Sequence, residues 1–258
     1  MSRPRHDDTH PVRWFGLTFG GAALVPACPP GWRRLVTTRT GACLARAAGL
    51  LATVTPANGV FLDDGVPLEL HAQEPVDLRM LYVRTSRCRS HGSPALAVRV
   101  TPLLRALIER AVDRGIAFDA GEPRERHLID VVADEIESLV RAPFALQLPS
   151  DPRALRAAEH CLAALDAPHT PERLAAVAGT SARTLERLFA AETGCSVGRW
   201  QRRIRLLAAD RALARNSSVT DAAYDAGYSS PSAFIAAFRR AFGTTPGTVR
   251  AAAAHTIA

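Results

Sequence analysis

Three charged residues, Arg183, Glu186 and Arg187, stand three and four positions apart. They alternate with Leu185, Leu188 and Phe189. If residues 181–192 form a helix, the apolar three point inward and the charged three share the outward face. A guanidinium on such a face can pair bidentately with a guanine edge, and a carboxylate can accept from cytosine. An ordinary solvated face with one Arg–Glu pair would use the same residues. Further along, Pro231, Ser232, Ile235 and Ala236 form a second outward set. Only Ser232 offers a hydrogen bond there. That second face should discriminate poorly between sequences and anchor a backbone through Ser229, Ser230 and the helix N-terminus. Arg199, Arg202, Arg203, Arg239 and Arg240 are candidates for phosphate contact, some of them diverted to Asp210 or Asp221.

The elements that must position these groups repeat. Thr170–Gly179 (TPERLAAVAG) aligns with Ser218–Gly227 (SVTDAAYDAG) at an offset of 48 residues. Each copy opens on a capping hydroxyl, and Ser218 with Asp221 resembles a capping box. Each places Ala four residues before Gly, which suits two helices joined by a tight left-handed turn. Leu185, Leu188 and Phe189 then fold back in one copy, and Ala233, Phe234, Ala237 and Phe238 in the other. Gly194 and Gly243 close the units. Between them, Val197–Arg215 reads as one long helix with Trp200, Ile204, Leu207, Ala208 and Leu213 on its apolar side.

At these residues the sequence resembles the DNA-binding domain of AraC-family transcription regulators. Gly227–Pro246 (GYSSPSAFIAAFRRAFGTTP) matches the family signature of Gly-aromatic-x-Ser-x-Ser-x-Phe, then Phe-Arg, then Gly-x-Ser/Thr-Pro. Ser181–Phe189 matches its first reading helix. The resemblance implies two helix-turn-helix units bridged by a helix and set into successive major-groove faces. Such grooves lie ~34 Å apart on one face of DNA. It implies base contacts from Arg183, Glu186, Arg187 and Ser232. It also implies backbone contacts from Ser181, Thr184, Arg199, Arg202, Arg203, Ser229, Ser230, Arg239 and Arg240.

The N-terminal part has another texture. Arg33–Thr40, Ala42–Ala47, Leu50–Thr55, Gly59–Leu62, Pro67–Ala72 and Val76–Arg84 are strand candidates separated by turn signals such as Asn58-Gly59. Thr101-Pro102 opens a helix running to Gly115, and a second runs from Glu122 to Arg141. The resemblance makes this region a cupin-like effector-binding barrel. The family's His-x-His strand and Gly-Val-Pro-His turn are replaced here by Trp32–Arg39 without His and by Gly65-Val-Pro-Leu68. No metal or cofactor is therefore expected. Ile129, Val132, Ile136 and Leu139 are the candidate dimerisation face.

Composition bounds the rest. The chain has 258 residues, net charge +7 and 32 basic residues, all Arg. Residues 151–258 carry 14 Arg against 9 acids, and residues 1–150 carry 18 against 16, so the excess lies at the C-terminal end. The lack of Lys reads most simply as a coding bias. Five scattered Cys form no C-x-x-C pair and read as buried thiols. Phe15–Ala27 is mildly apolar but preceded by Asp7 and Asp8, unlike a secretion signal. Catalytic motifs are lacking, and Cys28, Cys43 and Cys88 do not have the spacing of a methyl-acceptor zinc site.

The expectation is an α+β chain of two domains. Residues 1–30 form a flexible segment, 31–142 the cupin-like domain, 143–152 a linker, 153–251 the DNA-binding domain and 252–258 a tail. Its partners would be double-stranded DNA, a small effector, a second copy in a homodimer and, for an activator, RNA polymerase, with no membrane, in the cytoplasm. The alternative is a constitutive dimeric regulator whose barrel binds no ligand.

Overall fold

The computed structural model describes residues 10–114, 122–165 and 169–254. Its strands are β1 (Val12–Val25), β2 (Trp32–Thr40), β3 (Cys43–Ala47), β4 (Leu50–Val54), β5 (Asn58–Leu62), β6 (Leu68–Arg84), β7 (Ala95–Arg99) and β8 (Ala145–Gln147). The first helices are α1 (Pro102–Arg114), α2 (Pro123–Glu137) and α3 (Pro152–Ala163). Then come α4 (Pro171–Ala178), α5 (Ala182–Thr193), α6 (Val197–Ala214), α7 (Val219–Asp225), α8 (Pro231–Phe242) and α9 (Pro246–Ala254). The chain divides into two units, residues 1–41 with 54–142 and residues 42–53 with 143–258. The α+β, two-unit architecture is the one expected from the sequence, but residues 42–53, expected in the first domain, and 143–152, expected as a linker, both belong to the second unit.

The first unit is an antiparallel sheet in the order β7-β5-β2-β6, with β1 along the other side of β6. Side chains alternate between its faces. One face, with Val12, Trp14, Leu35 and Leu81, packs on Leu104 and Ile108 of α1 and on Ile129, Val132 and Ile136 of α2. Thr101 starts α1 by accepting the Leu104 N–H at 3.0 Å. The expected end of α1 at Gly115 lies outside the described residues. α2 stops at Glu137 rather than Arg141, and the chain returns to the sheet, where Arg99 N–H donates to Val140 O.

Four expectations need correction. Residues 10–30 are not a flexible segment, because β1 pairs with β6 from Val12 to Val25. The two strands expected at 67–72 and 76–84 are one strand, β6. Pro75 is accommodated where Gln73, Glu74 and Pro75 oppose Gly20 alone, between the Phe19–Val76 and Gly21–Ala72 pairs. Gly59 is not a turn residue, since the reversal is made by Thr55–Asn58. A Cβ on Gly59 would stand 2.6 Å from the Val36 carbonyl oxygen, so the strand pairing itself demands glycine. Ile129, Val132 and Ile136 are fully buried in the unit's own core and Leu139 packs against it, so they offer no face to a second copy.

In the second unit, β3, β4 and β8 are hydrogen-bonded neighbours in that order. The expected linker 143–152 is therefore structured. β8 pairs with β4 (Leu51 opposite Leu146), Leu148 N–H donates to Gly49 O at 2.7 Å, and Phe144, Leu146 and Leu148 are buried. Asp151 caps α3 through the Arg153 N–H at 2.9 Å and also pairs with the Arg153 guanidinium. Glu192, near the end of α5, accepts the N–H groups of Ser150 at 2.6 Å and Asp151 at 3.0 Å. These contacts hold both carboxyls below the usual carboxylate range.

Candidate nucleic-acid interface

The two repeats fold alike for the same local reasons. Thr170, Ser181, Ser218 and Ser230 cap α4, α5, α7 and α8 through side-chain oxygens. Pro at the first position of α4 and α8 costs no hydrogen bond. Gly179 and Gly227 make the turns at φ +67° and +78°. The expected capping box is incomplete. Ser218 accepts the Asp221 N–H, but the Asp221 carboxylate takes the Ser218 hydroxyl instead of reaching a backbone N–H.

Leu185, Leu188 and Phe189 of α5 are buried, as are Phe234, Phe238 and Phe242 of α8. Ala233, expected to pack inward, is exposed. The ring of Phe189 meets Trp200 of α6 edge-on at 5.5 Å. α6 has 18 residues, about 27 Å at helical rise, somewhat shorter than the ~34 Å between successive grooves.

On the outward face of α5, Arg183 and Arg187 are exposed and make no ion pair among the described residues. Glu186 departs from the expected trio. Its carboxylate accepts the Val197 N–H at 3.2 Å and so serves the N-terminus of α6. A carboxylate spent there is poorly placed to read cytosine. On α8, Ser232, Ile235 and Ala236 are exposed, as are Ala233, Arg239 and Arg240.

Residues 174–252 match the family model described as a helix-turn-helix domain. The transcriptional regulator NimR of Escherichia coli K12 is 27% identical, over 83% of this chain and 78% of its own. The transcriptional activator NphR of Rhodococcus is 29% identical, over 81% of this chain and 67% of its own. A solved regulator of Chromobacterium violaceum, of the AraC-type DNA-binding-domain class, is 29% identical, covering 41% of this chain and 95% of its own with a TM-score of 0.40. The chain is a transcriptional regulator with an AraC-type DNA-binding domain.

Arginines around this AraC-type domain sort by what already holds them. Arg199, Arg202, Arg239 and Arg240 are exposed. Arg203 is half-buried and donates to the Ala145 carbonyl at 3.2 Å, which removes it from the phosphate set. Ser181 and Thr184 share a hydroxyl–hydroxyl bond at 2.9 Å at the start of α5. Ser229 is exposed, and Ser230 spends its oxygen on the α8 cap.

Asp210 pairs with none of the outward arginines. It is wholly buried and accepts the Thr53 hydroxyl at 2.6 Å. Burial pushes its carboxyl up to about 7, and the neighbouring Arg211 guanidinium, itself buried, has its pKa lowered by the same desolvation. Cys43 and Cys161 are buried thiols pushed up to about 12 and about 11, which makes them inert at neutral pH.

Asp210 is thus buried where the sequence suggested an outward partner, and Thr53 and, in the first unit, Arg34 carried no expectation. A parity count was the signal for Arg34. It shares strand parity with Val36, a position too apolar to face solvent, so its side chain had to be inside.

Proposed function

We propose that this regulator reads its operator through Arg183 and Arg187 of α5, and that α8 mainly grips the backbone. The carrying observation is that both arginines are exposed on the outward face, free of ion pairs among the described residues, while the first two turns of α8 expose Ser232 as their one side-chain hydrogen-bonding group, with Arg239 and Arg240 following in the last turn. Backbone contact then comes from Ser181, Thr184, Arg199, Arg202, Ser229, Ser230, Arg239 and Arg240. In-vitro selection from random duplexes tests this. The wild type should return a motif with its information concentrated in one half. A motif equally sharp in both halves would refute the asymmetry.

An effector bound by the first unit belongs to the same proposal, and Arg34 supports it. It is 1% exposed, yet no carboxylate partners it among the described residues. Its Nη1 donates to Pro26 O at 3.0 Å and to the Tyr82 hydroxyl at 3.3 Å, its Nη2 reaches Val66 O, and its Nε has no partner. A buried charge without a counter-ion is costly. On the same sheet face, Arg13 and Arg84 flank the Trp32 ring at 5.0 and 4.6 Å. Phe15 and Leu17, opposite Met80 and Leu78, add half-buried apolar surface. This chemistry suits a small organic anion with an apolar body. Benzoate and octanoate should raise the melting temperature while their neutral amides do not, and Arg34→Met should abolish the difference. Equal shifts from acids and amides would refute the anion. No shift from either would favour the constitutive reading, in which the first unit only pairs two copies. Sedimentation of the wild type tests the homodimer, through a surface other than the buried stripe of α2.

A further inference from the structure

We propose that β8 and the β3–β4 hairpin act as a ruler that fixes the distance between the two DNA-facing helices. This rests on the reading of α5 and α8 as those helices. The family-matched segment, residues 174–252, contains none of the ruler.

At the start of β8, Phe144 stacks on Phe242 at 4.5 Å and lies 6.2 Å from Phe238, so this end seats α8. At its other end, the Gln147 carbonyl accepts the indole N–H of Trp200 at 3.0 Å, and Trp200 carries Phe189 of α5. Between them, Ala145 O takes Arg203. One anchor of each DNA-facing helix is therefore referred to one short strand. A strand is inextensible at about 3.3 Å per residue, so it suits a spacer.

The hairpin stiffens that strand and grips α6 a second time. β4 supplies the backbone pairing of β8, and the Thr53 N–H donates to Phe144 O at 3.2 Å. The Thr53 hydroxyl reaches Asp210, ten residues beyond Trp200 on α6. That bond goes to Oδ2 and Oδ1 has no partner, so Thr53 is the only side chain among the described residues that donates to this carboxyl. Thr53 and Phe144 are positioning residues, since they act on DNA only through the helices they hold.

Hydroxyl-radical footprinting of the full-length protein on its selected duplex tests the ruler. The wild type should protect two backbone tracts about one helical turn apart, ~10 base pairs. In Thr53→Val the α8 tract should weaken at least threefold relative to the α5 tract, and Thr53→Ser should restore the ratio. Phe144→Leu, which loosens only the α8 seat, should skew the ratio the same way and serves if Thr53→Val does not fold. A wild-type ratio in folded variants, with both tracts fading together or neither, would overturn the ruler. A single tract in the wild type would overturn the placement of α8 on DNA, and the ruler with it.

Discussion

The first helix-turn-helix copy turns Arg183 and Arg187 to solvent, while the second turns out Ser232, Ile235 and Ala236. Their scaffolds differ little: the caps are hydroxyls, the turns are left-handed glycines, and the inward residues are large and apolar. Duplicated architecture therefore does not imply duplicated chemistry. Packing constrains the inward positions of both copies, because a core tolerates little change in volume. The outward positions are free of that constraint and can diverge. The copies also differ inside. Phe234, Phe238 and Phe242 form one aromatic column in the second, with successive ring centroids 5.5 and 4.7 Å apart, whereas the first relies on Leu185, Leu188 and Phe189.

The largest effect should come from breaking that column. Phe238→Ala removes a fully buried ring between two others and should cost about 3–5 kcal/mol of unfolding free energy. Denaturant melts followed by circular dichroism would check it. A cost below about 1 kcal/mol would mean that the second copy is loosely packed and the two cores are not comparable.

A second test acts on α6, the element both copies share. The folded-state pKa of Asp210, about 7, lies above the unfolded value. Such a carboxyl contributes stability that is present below the unfolded pKa and lost as pH rises through 7. The groups facing it are the Thr53 hydroxyl and the Arg211 guanidinium. Wild type should lose on the order of 2–4 kcal/mol between pH 4 and pH 8 relative to Asp210→Asn, which keeps an acceptor for Thr53. Parallel pH–stability curves for the two proteins would show that Asp210 does not titrate there.

Next in size is the asymmetry itself. Arg187→Ala should weaken binding to the selected site by ~1–3 kcal/mol and relax preference at one or two base pairs, while Ser232→Ala should cost less than about 0.5 kcal/mol. Titrations on matched and single-mismatch duplexes distinguish them. A Ser232→Ala loss as large as that of Arg187→Ala would put sequence reading in both copies.

How much of this was legible in the sequence follows from which interactions are local. Caps, turns and the inward stripe depend on residues within four positions of one another, so most of the repeat could be read, down to Gly179 and Gly227, although Ala233 faces out. β1 was missed because its glycines and half-exposed alternation hide a strand whose partner, β6, starts more than 40 residues later. β8 was missed because a three-residue strand in the five residues between Pro143 and Pro149 looks like punctuation until β4 supplies its hydrogen bonds. Glu186 was legible as outward-facing, but its bond to Val197 depends on how the chain turns between α5 and α6. Asp210 looked like a surface acid on a basic helix. Only the arrival of Thr53, 157 positions away in sequence, explains its burial.

The smallest effect concerns the cations of the second copy. Arg239 and Arg240 sit exposed in the last turn of α8, without ion pairs among the described residues. If α8 grips phosphate, each contact displaces condensed counterions and adds about 0.9 to the slope of log affinity against log salt. Arg239→Ala should then lower that slope by about 1 and weaken matched and mismatched duplexes by the same factor. Arg187→Ala should instead penalise the matched duplex more, because a base contact exists only on the right sequence. Titrations at several salt concentrations on the two duplexes separate these patterns. A sequence-dependent loss in Arg239→Ala would move α8 from gripping to reading, and the contrast between the copies would shrink to one of degree.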